Sequence, residues 1–420
     1  MPVETTMKKR EVSSSYLSAG GHIFCVATVF AGGNSAGLCI FNFQKENKNS
    51  EDMKTRAAVV YETNKGFTIE ELNIDPPKER ELLIKVNVAG ICHSDWNFVT
   101  GDSLFNMPVV LGHEGSGIVL ETGPGITKFR KGDRVVFNSA PNCGTCFDCT
   151  HDRPSICGTY TGPTWEGVMF DGTTRFSNSR GEKIYQLSSV GCFAEHIILP
   201  EDCAVPLMDS TPFEVGAILG CAVTTGVGAV LNTANVREDA NALVFGIGGV
   251  GSNVLMGLQL RKASRVIAVD KNPGKEEVAR KLGASDFFVF NEKNIPAIKK
   301  LCEEVKIDYV FEAAGDTLSQ EVAIECARPG GMIALIGIPP VQSHTRINAA
   351  SVTRKEKTIR GCYYGTNNTV KDLNQYEVMY RDKDLDLDML ISNVYRLDQI
   401  NEAYDNLLKG RHLRGVIVFD

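Results

Sequence analysis

The chain has 420 residues, 43% hydrophobic and 23% charged, with a formal net charge of −7. That composition fits a soluble globular enzyme of two or three domains. The acidic balance excludes nucleic acid or an anionic membrane as the main partner, because either wants a basic face, and no stretch approaches the roughly 18 apolar residues that span a bilayer.

Residues 1–52 differ from the rest. Lys8, Lys9 and Arg10 precede a short apolar run over 23–31, a glycine pair and the polar run 44–52. A basic start before an apolar run is the outline of a targeting segment. Glu4 and Glu11 oppose that reading, and no small-residue cleavage site follows. The stretch reads as an extension, disordered or targeting, or as a start placed too early, since Met53 opens a strand-like run over 55–61. From 53 to about 198 the pattern is β-rich. Strands are expected at 82–88, 117–121 and 134–138, punctuated by Gly123-Pro124-Gly125 and Lys131-Gly132-Asp133. Residues 158–189, rich in Gly, Thr, Ser and Asn, read as a long surface excursion. From about 224 strands and helices alternate. The strands are 242–245, 265–269, 287–290, 309–312 and 332–336; the helices are 250–260, 276–282, 295–305 and one ending near 327. That alternation predicts a parallel sheet with helices on both faces. After 361 the pattern is mixed and ends in a strand at 415–419.

Thirteen cysteines are too dilute in 420 residues for a disulfide scaffold, and several stand at metal-ligand spacing. This argues for a reducing, cytoplasmic setting. Cys143-x2-Cys146-x2-Cys149-x7-Cys157 is the strongest signal. Four thiolates on one loop can close a tetrahedral shell around zinc, with iron–sulfur ligation the alternative by count. A closed shell has no open position, so its role is structural.

A second set is spread out: Cys92-His93-Ser94-Asp95, His113-Glu114 and Cys221. A lone cysteine is more often a small buried hydrophobe. Together, two thiolates and an imidazole make a Cys2His site whose fourth position is open to water or substrate. The third motif, Gly246-Ile247-Gly248-Gly249-Val250-Gly251, joins the strand at 242–245 to a helix, and Asp270 follows at the end of the next strand. The glycines permit a tight turn and let backbone N–H groups approach a pyrophosphate at a helix N-terminus. Asp270 would accept hydrogen bonds from ribose hydroxyls and repel a 2′-phosphate, which predicts NAD over NADP.

These motifs, in this order, resemble the zinc-dependent medium-chain alcohol dehydrogenase family across nearly all of 53–420. The resemblance implies an α/β fold: a GroES-like, β-rich catalytic domain (53–222 and 365–420) interrupted by a Rossmann doubly wound parallel sheet domain (223–364). The active site would lie in the cleft between them. It implies NAD and two zinc ions per subunit, one structural on Cys143, Cys146, Cys149 and Cys157. Cys92, His113 and Cys221 match the catalytic-zinc ligands, and Glu114 matches the acid beside them. Asp95 matches a carboxylate that orients the ligand histidine, and Ser94 the hydroxyl that hydrogen-bonds the substrate oxygen. On the cofactor side Gly246, Gly248, Gly249 and Gly251 form the turn. Asp270 and Lys275 match ribose-holding positions, His93 and Arg414 pyrophosphate positions, and Thr225 one beside the nicotinamide, with Val250 packed behind the ring. The implied activity interconverts primary alcohols, medium-chain or aromatic, and their aldehydes. The alternatives are an S-(hydroxymethyl)glutathione (formaldehyde) dehydrogenase, a biosynthetic aldehyde reductase and a non-catalytic binding protein. The length of 158–189 resembles the family's dimeric members and implies a homodimer.

Two departures stand out. Many members end a proton relay in a histidine three residues after the hydroxyl residue; this chain has Asn97. The glutathione-dependent class, which the run Asp171-Gly172-Thr173-Thr174-Arg175-Phe176 and His93 resemble, holds its adduct with two acids and an arginine. The corresponding residues here are Ser103, Phe105 and Thr161. Phe105 and Trp96 instead suggest an apolar pocket wall, and equally suit the core.

Overall fold

The computed structural model describes residues 53–411 and 413–420, together with the backbone of three strands in the first 52 residues. Those strands, Ser13–Ala19, His22–Ala31 and Ser35–Phe43, pair antiparallel in chain order. They belong to a unit separate from the rest of the chain. The expectation of a disordered or targeting extension otherwise falls outside the described residues.

The larger unit begins with a closed barrel. Met53–Val60 pairs with Thr68–Ile74 and Val109–Val110, and Phe176–Ser177 and Lys183–Gln186 close the ring. Its seam is fully apolar: Ala57, Ala58, Val59 and Val60 are buried without exposure, as are Val109, Val110 and Ile184. The stretch 158–189 is therefore not a free excursion. Arg175 inside it is buried, and its Nε donates to Glu81 Oε2 at 2.8 Å while Nη2 reaches Asp171 Oδ2 at 2.9 Å. Composition reads such polar residues as surface. Here they satisfy one buried guanidinium, which a desolvated charge requires.

A second sheet carries the chemistry. Glu81–Ile91 is its hub, pairing antiparallel with Gly115–Thr122, His196–Pro200 and the C-terminal strand Arg414–Val418. The alignment sets Ala89 opposite Gly115 and Ile91 opposite Gly415. Three distant segments thus end side by side, just where Cys92, His113-Glu114 and Arg414 stand.

The remaining sheet is six-stranded and parallel. Its strands are Asn241–Phe245, Arg265–Asp270, Asp286–Val289, Tyr309–Glu312, Met332–Leu335 and Thr358–Gly361. In space they run third, second, first, fourth, fifth, sixth. This is the doubly wound order, whose direction of winding reverses between the first and fourth strands and opens a crevice at their carboxyl ends. Leu243, Val244 and Phe245 are essentially unexposed, as expected of a strand covered on both faces.

The helical run Phe213–Thr233 is long and apolar enough to cross a membrane by length and composition, contrary to the reading of the sequence. Its most apolar window is 89% buried in the protein, so it acts as a core helix. A π-helical turn at Leu219–Val223 interrupts it and another at Ala229–Thr233 ends it, and Cys221 lies in the first. Such turns widen a helix locally and gather at functional sites.

Candidate active site

Ligand atoms of Cys92, His113, Glu114 and Cys221 lie within 4.8 Å of one another, and all four residues are buried. Each arrives from a different element: Cys92 caps the helix His93–Thr100, His113 and Glu114 precede a strand, and Cys221 sits in the π turn. His113 Nε2 is 3.3 Å from Cys221 Sγ. On the far side of the ring, His113 Nδ1 is 3.1 Å from Asp95 Oδ1, which also accepts the Gly112 N–H at 2.8 Å. Asp95 thereby fixes the ring with Nε2 facing the sulfurs. Ser94 Oγ is 3.6 Å from Cys92 Sγ.

The electrostatics of this pocket suit a cation. The Cys92 thiol is held well below its ordinary pKa, chiefly by the hydrogen bond from Cys221 and against the opposing effect of burial. Cys221 is pushed well up, by that same bond and by burial. A metal bound here would take both sulfurs as thiolates and release their protons. Burial lifts Glu114 to about 7, opposed by Arg414. Neither Glu114 oxygen accepts a hydrogen bond among the described residues, though Arg414 Nε lies 3.3 Å from Oε1. A buried carboxylate without hydrogen bonds beside two thiols and an imidazole is a donor set that fits zinc.

Cys92, His113 and Cys221, with Glu114 behind them, line a cleft of ≈ 1110 Å³, which His93, Ser94, Thr225, Gly246, Gly248, Gly249, Val250, Asp270, Lys275 and Arg414 also line. Gly251 stands behind the turn, packed on the Gly246 carbonyl. The helix Gly249–Leu260 has no side-chain cap and no acid in its first turn, so its leading N–H groups are left for an anion. Asp270 Oδ2 accepts the Ile247 N–H at 2.6 Å and Oδ1 that of Asn272 at 2.8 Å, fixing the carboxylate at the turn. Burial lowers the pKa of Lys275 beside it. Arg414 joins the two halves. Its Nη1 donates to the Ile91 carbonyl at 2.9 Å, and its guanidinium lies against Gly249. These features fit a dinucleotide.

The second cluster is separate. Cys143 Sγ to Cys149 Sγ is 4.0 Å and Cys146 Sγ to Cys157 Sγ is 3.7 Å. Tetrahedral zinc with ~2.3 Å bonds to sulfur needs sulfurs about 3.8 Å apart. The Thr159 hydroxyl and the Thr145 and Cys146 N–H groups reach Cys143 at 3.3, 3.5 and 3.3 Å, and with these donors its pKa falls to about 5. All eleven cysteines among the described residues are free.

The structure decides between the two readings of Trp96 and Phe105. Neither Trp96 nor Phe105 lines the cleft. Trp96 stacks on Tyr404 at 5.2 Å, and Phe105 packs on Phe98 at 5.1 Å and against Gly167. Both belong to the core, because the helix His93–Thr100 turns Ser94 and Asn97 toward the cleft and Trp96 away from it. Conversely, Tyr364 was not singled out. It packs with Cys92 and Cys221, and its hydroxyl donates to the Gly220 carbonyl. Its one sequence signal is its place just beyond the carboxyl end of a parallel strand, where such folds bind ligands.

Two family models match the chain. "Alcohol dehydrogenase GroES-like domain" matches residues 78–209 and "Zinc-binding dehydrogenase" matches 249–376. The chain is 33% identical to the alcohol dehydrogenase class-3 of Cereibacter sphaeroides, over 87% of this chain and all of that one. It is 35% identical to the NDMA-dependent alcohol dehydrogenase of Amycolatopsis methanolica, over 87% and 99%. The crystal structure of benzyl alcohol dehydrogenase from Acinetobacter calcoaceticus superposes with a TM-score of 0.79 at 27% identity, over 88% of this chain and all of that one. With two metal-fitting cysteine sites, a dinucleotide turn and relatives matched over their full length, this chain belongs to the zinc-dependent medium-chain alcohol dehydrogenase family.

Proposed function

We propose that the protein interconverts primary alcohols and aldehydes, with medium-chain or aromatic bodies, by exchanging hydride with NAD. One observation carries this reading: Cys92, His113 and Cys221 of the metal-fitting cluster line the same cleft as the glycine turn and Asp270. A small molecule held at the metal end is thereby within reach of a dinucleotide laid on the turn.

Zinc bound at the cluster would supply Lewis acidity toward an alcohol oxygen, and NAD bound on the turn a hydride acceptor. The protein does the rest. Asp95 holds His113 in one tautomer, which fixes the direction of its Nε2 lone pair. Ser94, lining the cleft beside Cys92, accepts the proton of the alcohol at Oγ. Asn97, one helical turn later on the same cleft wall, cannot take that proton onward, so it leaves to water. Arg414 pins Glu114 on one side and the turn on the other. Burial of the cluster keeps competing water out.

The relay makes a separate prediction. Asn97→His would place a general base one turn from Ser94. The apparent pKa of kcat/KM for oxidation is expected to fall, and the rate at pH 7 to rise about tenfold or more. An unchanged pH–rate profile would count against Ser94 as the route.

The decisive measurement is NADH formation with ethanol, hexanol, benzyl alcohol, cinnamyl alcohol, and formaldehyde with glutathione. Fast turnover of the apolar alcohols supports the reading. Relatives from Paracoccus denitrificans and Escherichia coli carry the name S-(hydroxymethyl)glutathione dehydrogenase. Ser103 lines the cleft as a neutral residue, while Thr161 lies outside it and spends its hydroxyl on the Cys157 carbonyl. A strong preference for the glutathione adduct would overturn the apolar-alcohol assignment.

A further inference from the structure

We infer that Tyr364 is a positioning residue for the buried metal cluster: its hydroxyl and the Asn367 amide hold the π turn that carries Cys221 where that sulfur meets Cys92 and His113. This rests on the reading of Cys92, His113, Glu114 and Cys221 as the zinc end of the alcohol-oxidising cleft, and adds a residue to it.

Cys221 needs such a hold. Cys92 and His113 stand at the ends of strands paired in one sheet, so the register places them, whereas Cys221 arrives on a helix. A π turn departs from the regular i to i+4 ladder, so the helix alone does not fix where its side chains point. The turn Leu219–Val223 is held near both ends by one strap, residues 364–367. Near its start, the Tyr364 hydroxyl donates to the Gly220 carbonyl. Just past its end, Asn367 Nδ2 donates to the Thr224 carbonyl at 2.7 Å and to the Tyr364 carbonyl at 2.6 Å. Gly220 is also packed on the Phe137 carbonyl, where a Cβ would stand at 2.6 Å. The residue just before Cys221 is therefore gripped by two segments remote in sequence.

The strap is shaped for this task. Tyr364, Gly365 and Thr366 have φ of +52°, +68° and +54°, three successive left-handed residues. A tyrosine and a β-branched threonine take that conformation only where their surroundings enforce it, and such strain gathers at functional sites. Gly365 permits the close approach, since a Cβ there would stand 2.3 Å from the Thr224 carbonyl oxygen. Thr366 Oγ1 is 2.8 Å from Thr233 Oγ1. Asn367 is fully buried, and its Oδ1 accepts the Tyr376 hydroxyl at 2.6 Å and the Asn232 amide at 2.9 Å. With its two donated bonds, both ends of that amide are satisfied. A strained backbone and a saturated amide thus deliver one phenol, packed with Cys92 and Cys221, to the carbonyl beside a metal ligand.

The test uses Tyr364→Phe in the full chain, which keeps the ring and removes only the hydroxyl. A chelator is expected to strip one zinc ion per chain about tenfold faster than from the parent, and the other, on Cys143, Cys146, Cys149 and Cys157, at the parent's rate. With cobalt(II) in place of the faster-leaving zinc, the visible d–d bands, which follow ligand geometry, should shift. A residue serving stability alone would lower the melting temperature and leave release and bands unchanged, and that result overturns the proposal. Hydrogen exchange of the amides over 219–224 is the second measurement, and should quicken in Tyr364→Phe with or without metal. If the wild type binds a single zinc per chain, the metal reading fails and exchange decides alone: faster exchange upholds the hold on the turn, and exchange unchanged removes it.

Discussion

Replacing Cys221 with serine is expected to remove one of two metal ions per chain and to lower kcat/KM for alcohol oxidation by at least about 10³-fold. Cys92, Cys221 and His113 bring two sulfurs and an imidazole nitrogen together with Glu114 in one buried cluster. A serine hydroxyl has no accessible anion at neutral pH, so only Cys92 and His113 remain as strong ligands, with Glu114 tied toward Arg414. Two ligands do not hold zinc in a buried site against water. The loss should be confined to that site. Cys143, Cys146, Cys149 and Cys157 form a separate cluster on their own loop, and the dinucleotide turn depends on neither. Metal content by plasma mass spectrometry should therefore fall from two to one, with the melting temperature and NAD affinity close to the parent's. Retention of both metals with less than a tenfold loss of rate would show that Cys221 is only a buried cysteine.

The readable parts of this chain were those whose chemistry is local. The knuckle at 143–157 and the turn at 246–251 each declare themselves because every group involved lies within one short segment. The parallel sheet was legible for the same reason, since each strand and its helix are consecutive. The spread set was legible only through resemblance. Nothing in the spacing of Cys92, His113 and Cys221 says that they meet; the pairing of Ala89 with Gly115 and the π turn at Leu219–Val223 bring them together. Residue type alone leaves Trp96 and Phe105 open between cleft wall and core, and it puts 158–189 on the surface. The helix face settles the first in favour of the core, and the partners of Arg175 overturn the second. Tyr364 goes unread in the sequence because its place beside Cys92 and Cys221 depends on packing between segments remote in sequence.

The glycine turn offers a sharper test than its motif, because two of its members should fail in opposite ways. A Cβ on Gly251 would stand 1.7 Å from the Gly246 carbonyl oxygen, backbone that cannot move aside without shifting the helix Gly249–Leu260. Gly246 itself has φ +83°, the left-handed region, so the turn has no freedom left to absorb the displacement. Gly251→Ala should lose about 1–3 kcal/mol of stability or more, read as a lowered melting temperature, and lose NAD affinity with it. Gly248 is the reverse case. Its φ of −87° and ψ of −162° suit any residue, and a Cβ there meets no protein atom within 4 Å. The space it would fill is the cleft itself, over the uncapped start of the helix. Gly248→Ala should therefore melt with the parent while NAD affinity, measured by titration calorimetry, weakens about tenfold or more, because a pyrophosphate approaching the helix N-terminus needs that space. Stability lost at Gly248 would mean the residue serves packing. An NAD affinity untouched there would mean that the phosphates do not pass over this turn, and Asp270 would lose its part in choosing the cofactor.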